Sequence, residues 1–507
     1  MDTRYLNIIS GILLVIIIFS IYNILSYIWQ RNRRIILPPG PFAFPLIGTI
    51  CSHGFKLDPE NLTDMSKRYG DVFMISMGPQ KFIILNSYES IQSAMRRPND
   101  FAHRGNDGKY TWMHLNPQMC GIIARNYDET FIANRAMAMG ILRQLGIGRH
   151  TMQGKILTEA YDVIDMIRCK NKTPFCPSVM IETSVANVIL DILINKRYPH
   201  GDTKVMFIQK QTHQFIDNVM WTFAVDSFPG LRHIQPFKGG YINVTTAYNN
   251  IITFMWGHAL ELIDRYKHGH STSFVEIFAE KNFPGDVARA KESLELRYML
   301  QDFLVAGLET TSTILQWIIV YLTNRTEIQH KLRTQTLGMV GSERKVVLAD
   351  RPRLPYLDAV IQETLRFSNL TPLMMHMSNL TRDVQLGKFT IPKRSMVMLN
   401  YHSVNMNPEV WGDPEVFRPE RHLAAAKVAG KAGDQLSRTY RHFPFGTGGR
   451  TCTGELLAKQ ELFLFTASLF QNFVFELPEG VSEISEEPIR EFTWRPKPFL
   501  VKAVPLV

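Results

Sequence analysis

Phe445-Gly446-Thr447-Gly448-Gly449-Arg450-Thr451-Cys452-Thr453-Gly454 sets a single cysteine in a glycine-rich loop. An apolar, helix-favouring run follows it, Leu456, Leu457 and Ala458, then Leu462 to Leu464. The pattern predicts a thiol at the start of a helix. Free N–H groups there, with the helix dipole, favour negative charge and hence the thiolate. The glycines let backbone come close to something flat and bulky. Arg450, two residues before the cysteine, can pair with an anion.

The spacing Phe-x-x-Gly-x-Arg-x-Cys-x-Gly resembles the haem-binding loop of the cytochrome P450 family. The resemblance implies that Cys452 is the axial thiolate of haem b, iron protoporphyrin IX, which pushes electron density toward O–O cleavage. Phe445 and Gly448 belong to the same cradle. The fold it implies is mainly α with small β-sheets, a triangular helical body around a buried haem.

Composition is compatible with this. The chain has 507 residues, 45% hydrophobic and 20% charged, which is globular rather than disordered. A net charge of +10 suggests an acidic partner, an anionic membrane or nucleic acid. No nucleic-acid motif is present, which leaves the first two. The five cysteines, Cys51, Cys120, Cys169, Cys176 and Cys452, are odd in number and scattered. Neither a disulfide framework nor a CxxC zinc pattern emerges, as in a reducing compartment.

Leu6 to Trp29 is almost wholly apolar, long enough to cross a bilayer, and lacks a small-residue cleavage site. Arg31, Arg33 and Arg34 follow it, against Arg4 before it, so the positive-inside rule puts the body in the cytosol. Residues 1–30 are therefore expected to form an N-terminal transmembrane helix, a single-pass anchor in the endoplasmic reticulum membrane. Residues 31–44, with Leu37-Pro38-Pro39-Gly40-Pro41, form a basic, proline-rich hinge, and 45–507 the catalytic domain. Residues 69–86 alternate as strands, 101–125 form a loop region, helical patterns run from 128 to 340, and 424–438 make a flexible surface insertion.

Glu292 to Asn324 carries no proline and predicts one helix of roughly 45 Å. Its middle reads Ala306-Gly307-Leu308-Glu309-Thr310-Thr311. Glycine costs about 1 kcal/mol inside a helix, and a buried acid costs more unless paired or hydrated. The motif resembles the family's oxygen-activating helix. By that resemblance Ala306 and Gly307 leave room for O2, while Glu309 and Thr310 deliver protons for cleavage of the O–O bond.

Pro355 to Phe367 reads as a helix with Glu363 and Arg366 on one face. With Phe417-Arg418-Pro419-Glu420-Arg421 it resembles the family's buried ionic triad, Glu363, Arg366 and Arg421, a structural lock. His422, where the family often has Phe, should not affect chemistry. For the two haem propionates the resemblance offers Arg450, Arg135 and His376. Phe131 stands where the family has tryptophan, so an indole N–H is lost. Phe303, Leu304, Met374, Met375 and Phe492 fall where the family lines its substrate pocket, and suit an apolar occupant.

The resemblance therefore implies an oxidoreductase, a monooxygenase that hydroxylates a small apolar substrate such as a steroid, fatty acid or xenobiotic. The nearest branch is animal and microsomal. No flavin or NAD fingerprint is present, so electrons come from an NADPH–cytochrome P450 reductase, with cytochrome b5 as a second donor. Arg438, Arg441, Arg450 and Lys459 are candidates for its docking face. The alternatives are an isomerase or dehydratase of the same fold that does not use O2, and a non-catalytic haem-binding protein.

Overall fold

Helices carry most of the chain, and many begin where the sequence supplies a cap. Asp58 accepts from Asn61 N, Asp128 from Phe131 N and Ser293 from Leu296 N, satisfying N–H groups the helix itself leaves free. This computed structural model describes residues 35–44, 46–105, 111–265, 269–423 and 442–506. The expected anchor at 1–30, the start of the hinge and the insertion at 424–438 lie outside the described residues, as do Arg438 and Arg441.

The central helix is Leu294–Asn324. It is long and apolar enough to cross a membrane, but it is buried inside the protein on nearly every face and is a core helix. It packs on Ser178–Ile194, Phe237–Arg265 and the cysteine helix Glu455–Asn472. Leu304, Leu308, Ile318, Phe463 and Phe470 are among the core side chains these helices share. The helix Pro355–Phe367 has the predicted bounds.

The strands are β1 Val72–Met77, β2 Gln80–Leu85, β3 Leu373–Met377, β4 Val384–Leu386, β5 Phe389–Ile391, β6 Met396–Asn400, β7 Phe473–Glu476, β8 Pro488–Arg490, β9 Trp494–Pro496 and β10 Lys502–Pro505. The main sheet has the order β1-β2-β6-β3, with β2 and β6 parallel. The other strands pair as β4 with β5, β7 with β10 and β8 with β9. All five cysteines are free.

The end of the expected hinge is docked rather than loose. Pro39 O accepts from Met74 N and Ile36 O from Thr390 N, each at 2.7 Å. A Cβ on Gly40 would fall 1.9 Å from Met74 O, so only glycine permits this approach.

Glu363 is completely buried, and Arg366 grips it with two bonds of 2.7 and 2.9 Å. Arg421 adds a third at 3.0 Å. His422, expected to have no effect on the chemistry, supplies a fourth: its Nε2 is 2.8 Å from Glu363 Oε2. Burial alone would raise the acid's pKa, but the bonds to Arg366 and His422 outweigh it and hold the carboxyl far below its ordinary range. A depressed carboxylate stabilises the fold above the unfolded-state pKa, and the contribution is lost as pH falls through the folded value. Glu363→Ala should therefore cost about 3–5 kcal/mol at neutral pH by stranding two buried guanidiniums. His422→Phe should cost about 1.5–3 kcal/mol, one buried hydrogen bond to an ionised carboxylate. Chemical denaturation of the two variants at pH 7, then at falling pH, measures both.

Candidate functional site

The cysteine loop turns on glycines that no other residue could replace without strain. Gly448 has φ +73°, and a Cβ there would lie 2.2 Å from Met95 O. Phe445 O accepts from Cys452 N at 2.8 Å, closing the loop. Cys452 precedes the helix Glu455–Asn472, and the N–H groups of Gly454 and Glu455 donate to its sulfur. The expected preference for thiolate is only part of the balance. Burial raises the thiol's pKa above its ordinary value by more than those N–H groups and Arg135 lower it. An anionic sulfur in this position needs a cation beside it.

The central helix has an opening in its middle turns. Ala306 is exposed and Gly307 and Thr310 are half-buried, in the middle of a helix otherwise sealed in the core. Cys452 is likewise exposed, although protein surrounds it. The two helices are joined beside this opening by a bond between Thr311 and Glu461, a buried acid pushed up to about 8 by desolvation. Thr310 Oγ1 donates to Ala306 O at 2.7 Å. Gly307 has a different reason to be small: a Cβ there would sit 3.2 Å from Ile189 Cγ1, against the neighbouring helix.

Glu309 turns away from the opening. It is 1% exposed, accepts from Thr493 Oγ1 at 3.1 Å, and faces His213. Burial raises its pKa, opposed by His213 and Arg495.

At one side of the site, positive groups gather. Arg135 donates to Thr451 O at 2.6 Å. Arg450 donates to Ala102 O, Ile122 O and Arg125 O, and its guanidinium lies 3.9 Å from the Phe131 ring centroid. Phe131 thus keeps the aromatic contact while lacking the indole donor. The sequence reading missed Arg104, which donates to Met375 O at 2.5 Å and to His376 Nδ1 at 3.0 Å. Since arginine only donates, His376 Nδ1 is the acceptor and Nε2 carries the proton. Burial, then Arg104 and Arg450, hold the His376 pKa well below its ordinary value. Burial and the neighbouring guanidiniums lower Arg450 to about 8. Among the described residues, no carboxylate lies within ion-pair distance of Arg104, Arg135 or Arg450.

Two acids on the central helix, also missed, tie the 101–125 segment to this corner. Asp302 accepts from Ile122 N and Ile123 N at 2.8 and 2.9 Å. Glu295 accepts from Gly121 N, Asn134 Nδ2 and Arg125 Nη1. The segment is not wholly loop: it contains a short helix, Thr111–Leu115. Of the expected pocket residues, Leu304 is fully buried, and Phe303 packs edge-on against Phe274 at 5.3 Å in the core. Met374 and Met375 on β3 are half-buried. Phe492 lines a cleft of about 210 Å³ with Leu57, Met220, Leu373 and Trp494.

These residues fit a flat dicarboxylate carrying a metal cation. Cys452 can face the cation, Ala306 leaves space opposite, and the arginine corner lacks the two negative charges such a group would bring.

The sequence pattern of the family described as Cytochrome P450 matches residues 38–503. The chain is 31% identical over 478 residues to cytochrome P450 1A2 of Homo sapiens, covering 90% of this chain and 89% of that protein. It is 29% identical over 502 residues to cytochrome P450 2E1 of Mus musculus, covering 94% and 95%. To cytochrome P450 2D10 of Mus musculus it is 26% identical over 500 residues, covering 98% of each. Arg104→Ala should remove a charged donor from the anion corner and strip His376 of its partner. Haem affinity should fall about tenfold or more, the value of one charge-assisted hydrogen bond. Haem retained per polypeptide, titrated against apomyoglobin as acceptor, measures it.

Proposed function

This chain belongs to the cytochrome P450 family, and from that premise we propose a membrane-anchored monooxygenase that oxidises a small apolar substrate. It is an oxidoreductase of a family that uses haem b held through a cysteine thiolate. That group, when bound, supplies the iron at which O2 is activated.

The observation that carries the reading is an opening in the central helix at Ala306 and Thr310, beside its link through Thr311 to Glu461 of the helix that follows exposed Cys452. Cys452 is the metal ligand, and the N–H groups of Gly454 and Glu455 offset its charge. Arg104, Arg135 and Arg450 hold the propionate side, and the Nε2–H of His376 is left to donate there. Arg450 contributes mainly field, since most of its N–H groups serve backbone carbonyls. Thr310 keeps a hydroxyl at the open face, and Glu309 is the reserve of protons behind it. Glu363, Arg366, Arg421 and His422 are structural.

The substrate is a steroid, fatty acid or xenobiotic. Met374, Met375 and Phe492 favour an apolar, adaptable occupant.

Residues 1–30 anchor the chain in the endoplasmic reticulum membrane, residues 31–44 lead to the body, and 45–507 form a catalytic domain facing the cytosol. An apolar surface next to that entry supports this. Phe42, Leu46, Ile47, Phe55 and Ile234 are exposed, and Phe55 meets Phe228 and Phe237 edge-on.

Electrons come from an NADPH-dependent reductase. Its docking face is not made by Arg450, which turns inward, nor chiefly by Lys459, which is paired with Glu455 at 2.7 Å. Arg143 and Arg149 are exposed, and Gly148 N donates to Gln460 of the cysteine helix. With exposed Leu456 beside them they offer a basic, partly apolar surface.

Cys452→Ala should abolish the red-shifted absorption of the reduced carbon monoxide complex; a variant that keeps that band removes the ligand assignment. Thr310→Ala should keep the band while product per NADPH falls and hydrogen peroxide rises. Unchanged coupling would remove Thr310 from the reaction.

A further inference from the structure

Behind the acid of the central helix lies a chain of ionisable groups that oxygen chemistry at the opening does not by itself require. His213, on the helix Thr203–Asn218, sits between two carboxylates. Its Nδ1 is 3.2 Å from Glu309 Oε2, and its Nε2 is 3.2 Å from Glu182 Oε2. Glu182 stands on the helix Ser178–Ile194, and its other oxygen accepts from Gln316 Nε2 at 3.3 Å. The three groups therefore link three helices in one line, carboxylate, imidazole, carboxylate.

The ends of the line differ in access. Glu309's side chain is 1% exposed, whereas His213's is 26% and Glu182's is 12% exposed, so water reaches the outer two and not the inner one. Glu309 Oε2 and His213 Nδ1 approach off the axis of a good hydrogen bond, and neither has another bonding partner at that atom. A buried carboxylate oxygen and a buried ring nitrogen left to each other in this way form a site for a shared proton. The remaining charges that face His213 are Arg495 on β9 and, through its two-point pairing with Arg495, Asp217.

We propose that His213, with Glu182, is the proton supply of Glu309, reloading the acid of the central helix from water between turnovers. The idea rests on the monooxygenase reading given above and extends it. A proton from water enters at Glu182 and bonds to His213 Nε2. The Nδ1–H bond breaks and that proton passes to Glu309 Oε2. No electrons change hands, and rotation of the ring restores the starting tautomer. Burial disfavours the charged ring, but the bond to Glu182 and the charges of Glu309 and Glu182 outweigh it, so His213 titrates above its ordinary pKa. Such a group keeps its proton to a higher pH than a free imidazole and loses it as pH rises through the raised value.

The test uses the full-length holoenzyme with a NADPH-dependent flavoprotein reductase, both with 7-ethoxycoumarin as an apolar probe and with no probe added. NADPH consumed, hydrogen peroxide formed and product formed are counted from pH 6 to 9. In the native protein the peroxide share should rise with pH as His213 deprotonates. In His213→Gln that pH dependence should disappear and the peroxide share should stay high throughout. Coupled product should fall about tenfold, short of the hundredfold or more expected for an acid acting directly. The carbon monoxide spectrum must match the native one. If it does not, Glu182→Gln replaces the test, since it leaves the Glu309 contact in place and should move the pH limb the same way. A native-like pH limb in whichever variant keeps its spectrum overturns the proposal. Thr310→Ala separates the layers. If it raises peroxide while His213→Gln does not, the assignment of His213 alone fails. If Thr310→Ala is also silent, the oxygen-activating reading fails and this proposal with it.

Discussion

Three guanidinium groups share one buried corner of this protein with no carboxylate in ion-pair contact among the described residues. Buried charge without a partner is costly, and the fold meets the cost with backbone. The carbonyls of Ala102, Ile122, Ile123, Arg125, Met375 and Thr451 each accept from Arg104, Arg135 or Arg450. These acceptors come from the 101–125 segment, from β3 and from the cysteine loop. Segments far apart in sequence are thus held at one point by the same positive groups. Carbonyl dipoles satisfy the N–H donors but leave the net charge, and Arg450's lowered pKa reflects burial first and then the mutual repulsion that remains. A dianion bound in the corner would relieve that repulsion, so cofactor binding and stability of the loops are one problem.

Glu363 presents the converse case, a single buried carboxylate with more donors than it needs. Its partners do other work. Arg366 also donates to Asn405 O and Pro414 O, and Arg421 to Trp411 O and Val416 O. The irregular chain from 405 to 422 is therefore tied by its carbonyls to one charged centre. Trp411 lies under Arg366, 5.1 Å from its guanidinium, and meets the His442 ring edge-on at 5.9 Å. The Phe443 ring stacks on Tyr88 at 4.5 Å. The cluster so steadies the approach to the cysteine loop, whose sulfur must be placed closely for a metal bond.

What the sequence disclosed was local. Cys452 with its glycines, Glu363 with Arg366, and Ala306 to Thr310 are each contained within a few turns or one loop, and spacing alone brings their side chains together. What it hid was long-range. Arg104 and His376 are 272 positions apart, and Asn134 and Glu295 are 161 apart. Nothing in the periodicity of a loop marks one arginine as interior. Gly307 suited two explanations, space for a ligand or close helix packing, and only the position of Ile189 distinguishes them. Phe303 and Leu304 followed the same logic: an apolar residue on a core helix reads alike whether it meets substrate or another side chain. His422 is expected from sequence only to leave the chemistry untouched; its structural bond is to a carboxylate 59 positions away, beyond what spacing shows.

The acid and the alcohol of the central helix illustrate how geometry divides a motif. Adjacent residues on an α-helix are rotated by about 100° from one another. Thr310 lies on the open face, bonded back to Ala306 O, so Glu309 cannot lie on that face too. Its carboxylate instead enters a sealed pocket made by Thr493, His213 and the field of Arg495. On the proposed reading, contact with the reacting side falls to the hydroxyl, and storage of the proton to a carboxyl whose affinity is raised by burial. How tightly that proton is held depends on the sealed side, on burial first and then on His213, Arg495 and Glu182. Two proteins with the same Glu-Thr pair can then differ in proton supply through residues on the helices 178–194 and 203–218, which the motif itself does not contain.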